Sequence, residues 1–450
     1  MKLRQQNSPL KDLQFSTKAF YVFEQIIAHM LVPLIILLLI FRSQKEPAHL
    51  KNLKHRIGFG PVGPKGAIWV FAASLGETRA ASPFIHRLRS EGFNVLLTHQ
   101  SPAGLAEGAR IFGKDNGVTQ CYVPLDLFWA IRIFLQRSKP LALVIMEIEI
   151  WPAMLIETAR KGILVTMANG NLLDRSVNKR NYLRRRLNNL YQIFSHIFTR
   201  TDDYLSRYLS IGVKPKNVSV VGELKFDQLI DPAQLHLSKK LHSKLTGAKR
   251  ILMIASSVQA EERLLLPMVV RLISADPGLR VVWVPRSPQR FKAVEDALTA
   301  KGITVQKRSS MGSLIDGTPT NAQVLLGDSI GEMNVYYPLA DIVFVGASLV
   351  DHGGHNIMEP MALGKPVLMG QSTFGIAFIA DKAAQVGAFE SLPNVSKLEA
   401  RISLLLRDPQ ALKEKSLAAS LFAQEQTGAA DRTLHGMLEL IPALNERQKQ

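Results

Sequence analysis

A single cysteine, Cys121, stands in 450 residues, so no disulfide can form within the chain and a reducing compartment is expected. Zinc-type spacings are missing, and no Asp-x-Asp pair closes an apolar run to hold a divalent cation. Acidic residues are the scarcer sign: 37 Asp and Glu against 55 Lys and Arg give a formal charge of +18, with an isoelectric point near 9.9. That balance implies an anionic partner, whether nucleic acid, an acidic membrane surface or a phosphorylated substrate. No RNA-binding signature is present and no aromatic residues interleave the basic runs, which makes nucleic acid the weakest of the three.

Long hydrophobic runs are scarce too. Only Phe20 to Phe41 is strongly apolar, and Glu24, Gln25, His29 and Pro33 leave its uninterrupted part short of the ~20 residues that span a bilayer. No small-residue cleavage site follows it, so a removed signal peptide is not expected. Arg42, Lys45, Lys51, Lys54, His55 and Arg56 come next. A basic flank beside an apolar helix favours an anionic membrane surface on the cytoplasmic side, as an anchor or an interfacial helix, over a buried core helix.

What is present is enough apolar residue, 47%, to exclude disorder, in a chain long enough for two full cores. After a polar segment and the apolar helix (1–57), a turn-rich linker, Gly58 to Gly66, opens the first globular region. Short apolar runs then alternate with helical spacing, beginning Ala67–Ala73, Thr78–Leu88 and Phe93–Thr98, which predicts a doubly wound parallel sheet closing near Asp227. A Lys-rich, helix-prone stretch, Pro232 to Lys249, leads into a second set of runs from Ile251 to Met369. The expected division is 1–57, 58–227 and 228–450, with a helical tail from Asn394 to Asn445. The expected class is α/β, two Rossmann-like domains facing across a cleft.

The stretch Gly327 to Pro366 carries most of the functional information. Its apolar run ADIVFVGA predicts a buried strand, and Gly353 and Gly354 permit a tight turn with close ligand approach. A helix starting after Asn356 would turn free amides toward the strand's carboxyl edge, an anion site. Glu359 in the first helical turn could accept hydrogen bonds from a ribose diol. Ser329, Ile330, Gly331 and Glu332 form a second glycine-bearing turn that could hold the other side of the same nucleotide. Each turn alone could simply close a βαβ unit; together they point to a nucleotide sugar.

In the first half, the turn AASLGE places Glu77 just after the first strand, beside Ser74 and Gly76. A positioned Glu can take the proton from an attacking hydroxyl, or it can merely complement the helix dipole. In MEIEIWP, two-residue alternation predicts Glu147 and Glu149 on one strand face as hydrogen-bond acceptors, or as internal caps. The basic run RSVNKRNYLRRR, from Arg175, suits an acidic or phosphate-bearing acceptor, or is a solvated face.

GDSIGEM followed by FVGASLVDHGGHNIMEPMALGKPVLMG resembles the donor-binding segment of the 3-deoxy-D-manno-octulosonic acid (Kdo) transferases, which move Kdo from CMP-Kdo onto the lipid A precursor. The resemblance extends from the apolar helix onward and implies a GT-B fold with inverting chemistry. Glu77 then falls on the base of the family pattern HAxSxGE, with Phe71 where its His is usual. Glu147 and Glu149 match ExEhWP, Pro124 to Asp126 matches PLD, and Lys225 matches GNLKFD near the reacting centre. Pro285 and Arg286 begin the family's PRHxERF, with the Arg on the cytidine nucleotide; Ser287 and Gln289 replace its His and Glu. Residues 255–262 lack another His, and Asn171 replaces an Arg. The resemblance places Ile330, Gly331, Glu332, Asn356 and Glu359 on the donor. It implies no metal or other cofactor, because Arg286 and helix amides can meet the charge on CMP. A phosphorylated glycolipid acceptor at the cytoplasmic face of the bacterial inner membrane completes the expectation. A different CMP-activated ulosonic acid or acceptor, and a scaffold without turnover, stand as alternatives.

Overall fold

A computed structural model describes residues 15–44, 46–177, 182–228, 231–245, 248–312 and 320–441. The polar opening before Phe15 and residues 178–181 of the basic run lie outside them. Contacts divide the chain into one unit of Met1–Gln228 with Thr427–Gln450 and another of Leu229–Gln426.

The first unit opens with helix α1 (Phe15–Ser43) and then alternates: β1 (Ile68–Phe71), α2 (Leu75–Ser90), β2 (Val95–His99), α3 (Pro102–Phe112), β3 (Val118–Tyr122) and α4 (Phe128–Ser138). It continues as β4 (Ala142–Met146), α5 (Pro152–Arg160), β5 (Leu164–Gly170), α6 (Asp174–Val177), α7 (Tyr182–Asn189), β6 (His196–Thr199), α8 (Asp202–Ser210) and β7 (Val218–Val220). The sheet is parallel, in the order β3-β2-β1-β4-β5-β6-β7. Parallel neighbours need crossover helices, which bury both sheet faces and explain why these strands are near-continuous apolar runs. Trp69, Phe71, Leu143 and Ile145 fill one face. Ile68, Val70, Val95 and Leu97 fill the other.

The second unit runs α9 (Pro232–Lys244), β8 (Arg250–Ser257), α10 (Gln259–Ala275), β9 (Leu279–Pro285), α11 (Phe291–Thr299), β10 (Val305–Lys307) and β11 (Val324–Leu326). Then come α12 (Met333–Tyr336), β12 (Ile342–Val345), α13 (Met358–Ala362), β13 (Val367–Met369), α14 (Ala377–Gln385), β14 (Phe389–Ser391), α15 (Val395–Arg407) and α16 (Pro409–Gln426). Its parallel sheet has the order β10-β11-β9-β8-β12-β13-β14. Strand β14, three residues long, carries too little periodicity for the sequence to announce it.

Two boundaries differ from those expected. The last helix, α17 (Ala429–Leu440), belongs to the first unit rather than the second. Asp227 accepts the backbone N–H groups of Gly428 and Ala430, both at 2.6 Å, and Arg432 Nε donates to the Val221 carbonyl at 2.9 Å. Ala430, Leu434 and Leu438 complete the core beneath β1 and β2.

Helix α1 is likewise no detached segment. Thr17, Tyr21 and Gln25, spaced by four, form a buried stripe. Gln25 Nε2 donates to the Asp126 carbonyl at 2.9 Å, the Phe128 N–H donates to Gln25 Oε1 at 2.8 Å, and Trp129 Nε1 donates to His29 Nε2 at 3.0 Å. Beyond His29 the helix changes character, with Met30, Leu31, Leu34, Ile36, Leu37, Leu38, Ile40 and Phe41 all exposed. Its span Thr17–Ser43 is long and apolar enough to cross a membrane.

Candidate active site

Open parallel sheets bind ligands beyond the carboxyl ends of their strands, where neighbouring strands send their connections in opposite directions. In the first sheet that point lies between β1 and β4, and in the second between β8 and β12. The backbone is strained at the same edges. Glu147 (φ 60°), Asn169 (φ 59°), Ser256 (φ 57°) and Ala347 (φ 61°) adopt the left-handed region at the ends of β4, β5, β8 and β12. Such residues cost about 1–3 kcal/mol each and persist where the surroundings over-determine them, often at ligand sites.

Glu77 enters the first unit's edge on the opening turn of α2 and is 9% exposed. Its N–H donates to Ser74 Oγ at 3.2 Å, and the Ser74 N–H donates to Glu77 Oε2 at 2.9 Å. This is a reciprocal cap, so Glu77 does complement the helix start as its plainer reading held. Burial pushes its carboxyl up to about 7, with Glu149 and Glu147 adding to the rise and backbone hydrogen bonds at Ser74 and Ala73 opposing it. A carboxyl group poised near neutrality is the state a general base needs.

Behind it lies a buried brace. His99, fully buried at the end of β2, sits with Nδ1 3.2 Å from Thr78 Oγ1 and Nε2 3.2 Å from Gln120 Oε1. Thr78 Oγ1 in turn donates to the Ser74 carbonyl at 2.8 Å. Burial lowers the imidazole to about 4, so the ring is neutral and has a single N–H to share between its Thr78 and Gln120 sides. Gly108 makes room for this: a Cβ there would stand 2.9 Å from His99 Nε2 and 2.1 Å from Gln120 Oε1.

The alternation expected for MEIEIWP is broken. Strand β4 stops at Met146, and the positive φ of Glu147 turns the chain, so Glu147 and Glu149 do not share a strand face. Both still lie near enough to raise the Glu77 carboxyl. Glu149 accepts Trp151 Nε1–H at 2.7 Å, and Glu147 accepts Asn171 Nδ2–H at 3.2 Å. Asp126, the acid of the PLD match, caps α5 through the Ala153 and Met154 N–H groups at 3.1 and 2.8 Å. Lys225 is exposed on the turn after β7. Asn169 Oδ1 accepts the Leu224 N–H at 3.1 Å and so positions that turn, while Arg200 NH1 donates to Glu223 Oε2 at 2.6 Å.

In the second unit, the turn after β12 is held from beneath. Glu261, fully buried, accepts the N–H groups of Ala347, Ser348 and Leu349 at 2.8, 3.0 and 2.8 Å. Glu262 takes Arg290 through two nitrogens at 3.0 and 2.6 Å. Arg286 follows Pro285 at the end of β9, is exposed, and donates its N–H to the Ser257 carbonyl at 2.9 Å. Arg286 also bears on His355: burial first, then Arg286 and His352, lowers that imidazole. His355 Nε2 is buried with no hydrogen-bond partner.

Several donor-site expectations change in detail. Gly353 and Gly354 do take positive φ (83° and 74°). The space on their Cβ side, however, is filled by the chain itself: Phe374 lies 2.7 Å from the Cβ that Gly353 lacks, and Met369 2.5 Å from that of Gly354. Helix α13 is only five residues long, with Ile357 at its N-cap position. Asn356 acts one step earlier, its Oδ1 accepting the Met358 N–H at 3.0 Å and its Nδ2 donating to Glu359 Oε1 at 3.0 Å. Gly331 has φ 82° with open space where a Cβ would stand, and Ile330 beside it is 81% exposed. Glu332 accepts from Arg308 at 2.9 Å and from Tyr336 Oη at 3.2 Å. The sequence reading passed over His99, Asn169, Glu261 and His355. His355 lies inside the glycine turn, Glu261 within residues 255–262 and Asn169 two residues before Asn171, so these three carried a local signal, and His99 did not.

A profile for glycosyl transferases group 1 matches residues 307–420. A crystal structure of a glycosyltransferase from Rickettsia africae ESF-5 shares the fold at a TM-score of 0.57, with 12% identity over 84% of this chain and 99% of that one. Two parallel-sheet units with polar groups gathered at each switch point, together with these matches, define a GT-B glycosyltransferase. A profile for 3-deoxy-D-manno-octulosonic-acid transferase (kdotransferase) matches residues 51–228. The 3-deoxy-D-manno-octulosonic acid transferase of Haemophilus influenzae is 30% identical over 422 residues, 92% of this chain and 96% of that one. The Bordetella pertussis enzyme of the same name is 33% identical over 390 residues, 85% and 89% of the two chains. The chain belongs to the 3-deoxy-D-manno-octulosonic acid transferase family.

Proposed function

We propose that the protein transfers Kdo from CMP-Kdo to a hydroxyl of a phosphorylated lipid A precursor, with inversion, at the cytoplasmic face of the bacterial inner membrane. Glu77 is the residue that carries this reading: a mostly buried carboxylate at the β1 switch point, raised to about 7. It takes the acceptor hydroxyl's proton as the oxygen attacks the anomeric carbon and CMP leaves. Ser74 and Gly76 shape the turn that presents it. Glu147, Glu149 and Lys225 orient the acceptor. Arg286 and His355 meet the cytidine phosphate, while Ile330, Gly331, Glu332, Asn356 and Glu359 border the nucleoside. Charge on the departing CMP is met by Arg286 and backbone amides, so the reaction runs without a metal.

The exposed apolar half of α1 supports membrane attachment. Gln25 anchors α1 to the loop after β3 and His29 anchors it to the first turn of α4, at the carboxyl edge of the sheet where Glu77 also lies. A lipid acceptor entering from the bilayer therefore approaches the correct edge of this unit. The decisive experiment incubates the detergent-purified chain with CMP-Kdo and a tetra-acylated lipid A precursor in excess EDTA, and reads product mass. A mass gain of one or more Kdo residues is expected. A different added sugar, or no product with CMP still bound, would favour the alternative donor or the inactive scaffold.

A further inference from the structure

A groove of about 980 Å³ lies between α1 and the helices α4 and α5, and the transfer chemistry makes no use of it. Its α1 wall carries Val22, Ile26 and Met30, all exposed. Toward the start of α1 the lining turns cationic, with Lys18, Arg132 and Arg160 around Glu157. Glu157 is nearly inaccessible and accepts from Tyr21 Oη at 3.1 Å, Arg132 Nε at 2.6 Å and Arg160 NH1 at 2.5 Å. Three cations against one carboxylate leave two positive charges. The two arginine side chains stay 44% and 47% exposed, and each guanidinium has five N–H donors, more than Glu157 engages.

We propose that this groove binds one anionic glycerophospholipid of the bilayer, its phosphate on Lys18, Arg132 and Arg160 and one acyl chain along Val22, Ile26 and Met30. Charge complementarity selects the phosphate end. Length fits the other: Lys18 to Met30 spans about 18 Å of helix, against about 15 Å for one leaflet of hydrocarbon. The apolar wall also continues without a break into the exposed residues Leu31 to Phe41, so a lipid can enter laterally from a membrane. Position argues against the acceptor glycolipid as occupant. Helix α5 leaves the carboxyl edge at Pro152 and Arg160 lies about 12 Å further along it, while Arg132 lies about 6 Å along α4 from the same edge, so a phosphate held between them sits below the edge where Glu77 works.

Native mass spectrometry of the delipidated full chain in detergent tests this, with phosphatidylglycerol, phosphatidylcholine and a free fatty acid of equal chain length as probes. One retained phosphatidylglycerol is expected, favoured over both other probes by about tenfold. Lys18→Glu and Ile26→Glu, which touch the phosphate end and the apolar wall of the groove without breaking the Glu157 cluster, should each lower its retention by about tenfold at unchanged melting temperature. No adduct, equal retention of phosphatidylcholine, or displacement by the acceptor glycolipid would overturn the proposal. So would full retention in both folded variants; if the variants do not fold, the wild-type preference alone decides.

Discussion

Ser74 and Glu77 exchange hydrogen bonds, Ser74 N–H to Glu77 Oε2 at 2.9 Å and Glu77 N–H to Ser74 Oγ at 3.2 Å. The carboxylate proposed to take the substrate's proton is thus also the third-position partner of the Ser74 cap that opens α2. Glutamine can keep such a cap while losing the base, which makes Glu77→Gln the informative substitution.

Its stability should depend on pH in a defined direction. Burial raises the Glu77 carboxyl from 4.5 to about 7, so the folded protein holds that proton more tightly than the unfolded chain. The resulting stabilisation is fully present below the unfolded value and is lost as pH rises through about 7. The loss is at most about 3 kcal/mol. Urea unfolding at pH 5 and pH 8 should show Glu77→Gln gaining on the wild type at the higher pH. An identical difference at both pH values would show that the carboxyl is not raised.

Activity should run the opposite way. A base must be ionised, so kcat/KM should climb with pH to a plateau, with a midpoint near 7 set by Glu77. Removing a neighbouring negative charge lowers that midpoint. Glu149→Gln should shift it toward acid, and Glu147→Gln should shift it less, because Glu149 is the larger of the two contributions. A rate profile that stays flat from pH 5 to 8 would remove Glu77 from the proton transfer.

His99 reaches Glu77 only through Thr78 and Ser74, so it is a positioning residue. Loss of the ring's hydrogen bond with Thr78 in His99→Ala should lower kcat about tenfold through misplacement of the base, with KM for both substrates little changed. Asn, whose amide can hydrogen-bond the Thr78 hydroxyl in either sense, should recover most of the loss. A rise in KM instead, or no recovery with Asn, would reduce His99 to a packing residue.

Glu261 gives a test in the second unit. Three backbone N–H groups converge on its buried carboxylate. Glu261→Gln sets an amide donor against them, at a cost of about 2–4 kcal/mol. Calorimetry should show weaker CMP binding as the turn after β12 loosens. Unchanged CMP affinity would separate that turn from the nucleotide.

The alternation of strands and helices could be read directly because parallel strands buried on both faces are written as uninterrupted apolar runs, IWVF in β1 and IVFV in β12. Gly331, Gly353 and Gly354 announced positive φ because only glycine adopts it cheaply. The same conformation at Glu147 was hidden, since a glutamate in MEIEIWP looks like one more strand residue. The filling of the glycine turn by Phe374 was hidden as well, because the glycines show that something comes close but not what. Helix α17 kept its helical pattern yet joins the first unit through Asp227, 201 residues away from Gly428. Periodicity records that a face is apolar and says nothing of which core receives it. His99 reads as a lone polar residue at a strand end, and only the fold brings Thr78 and Gln120 to its two nitrogens.

The most direct test of the account is release of CMP from CMP-Kdo, with a lipid A precursor as acceptor, by wild type and by Glu77→Gln, with CMP-Kdo affinity measured on both. The account predicts steady release by the wild type, a fall of about 10²–10⁴-fold in the variant, and equal affinity for the donor. Wild-type rates in a folded Glu77→Gln protein would contradict it.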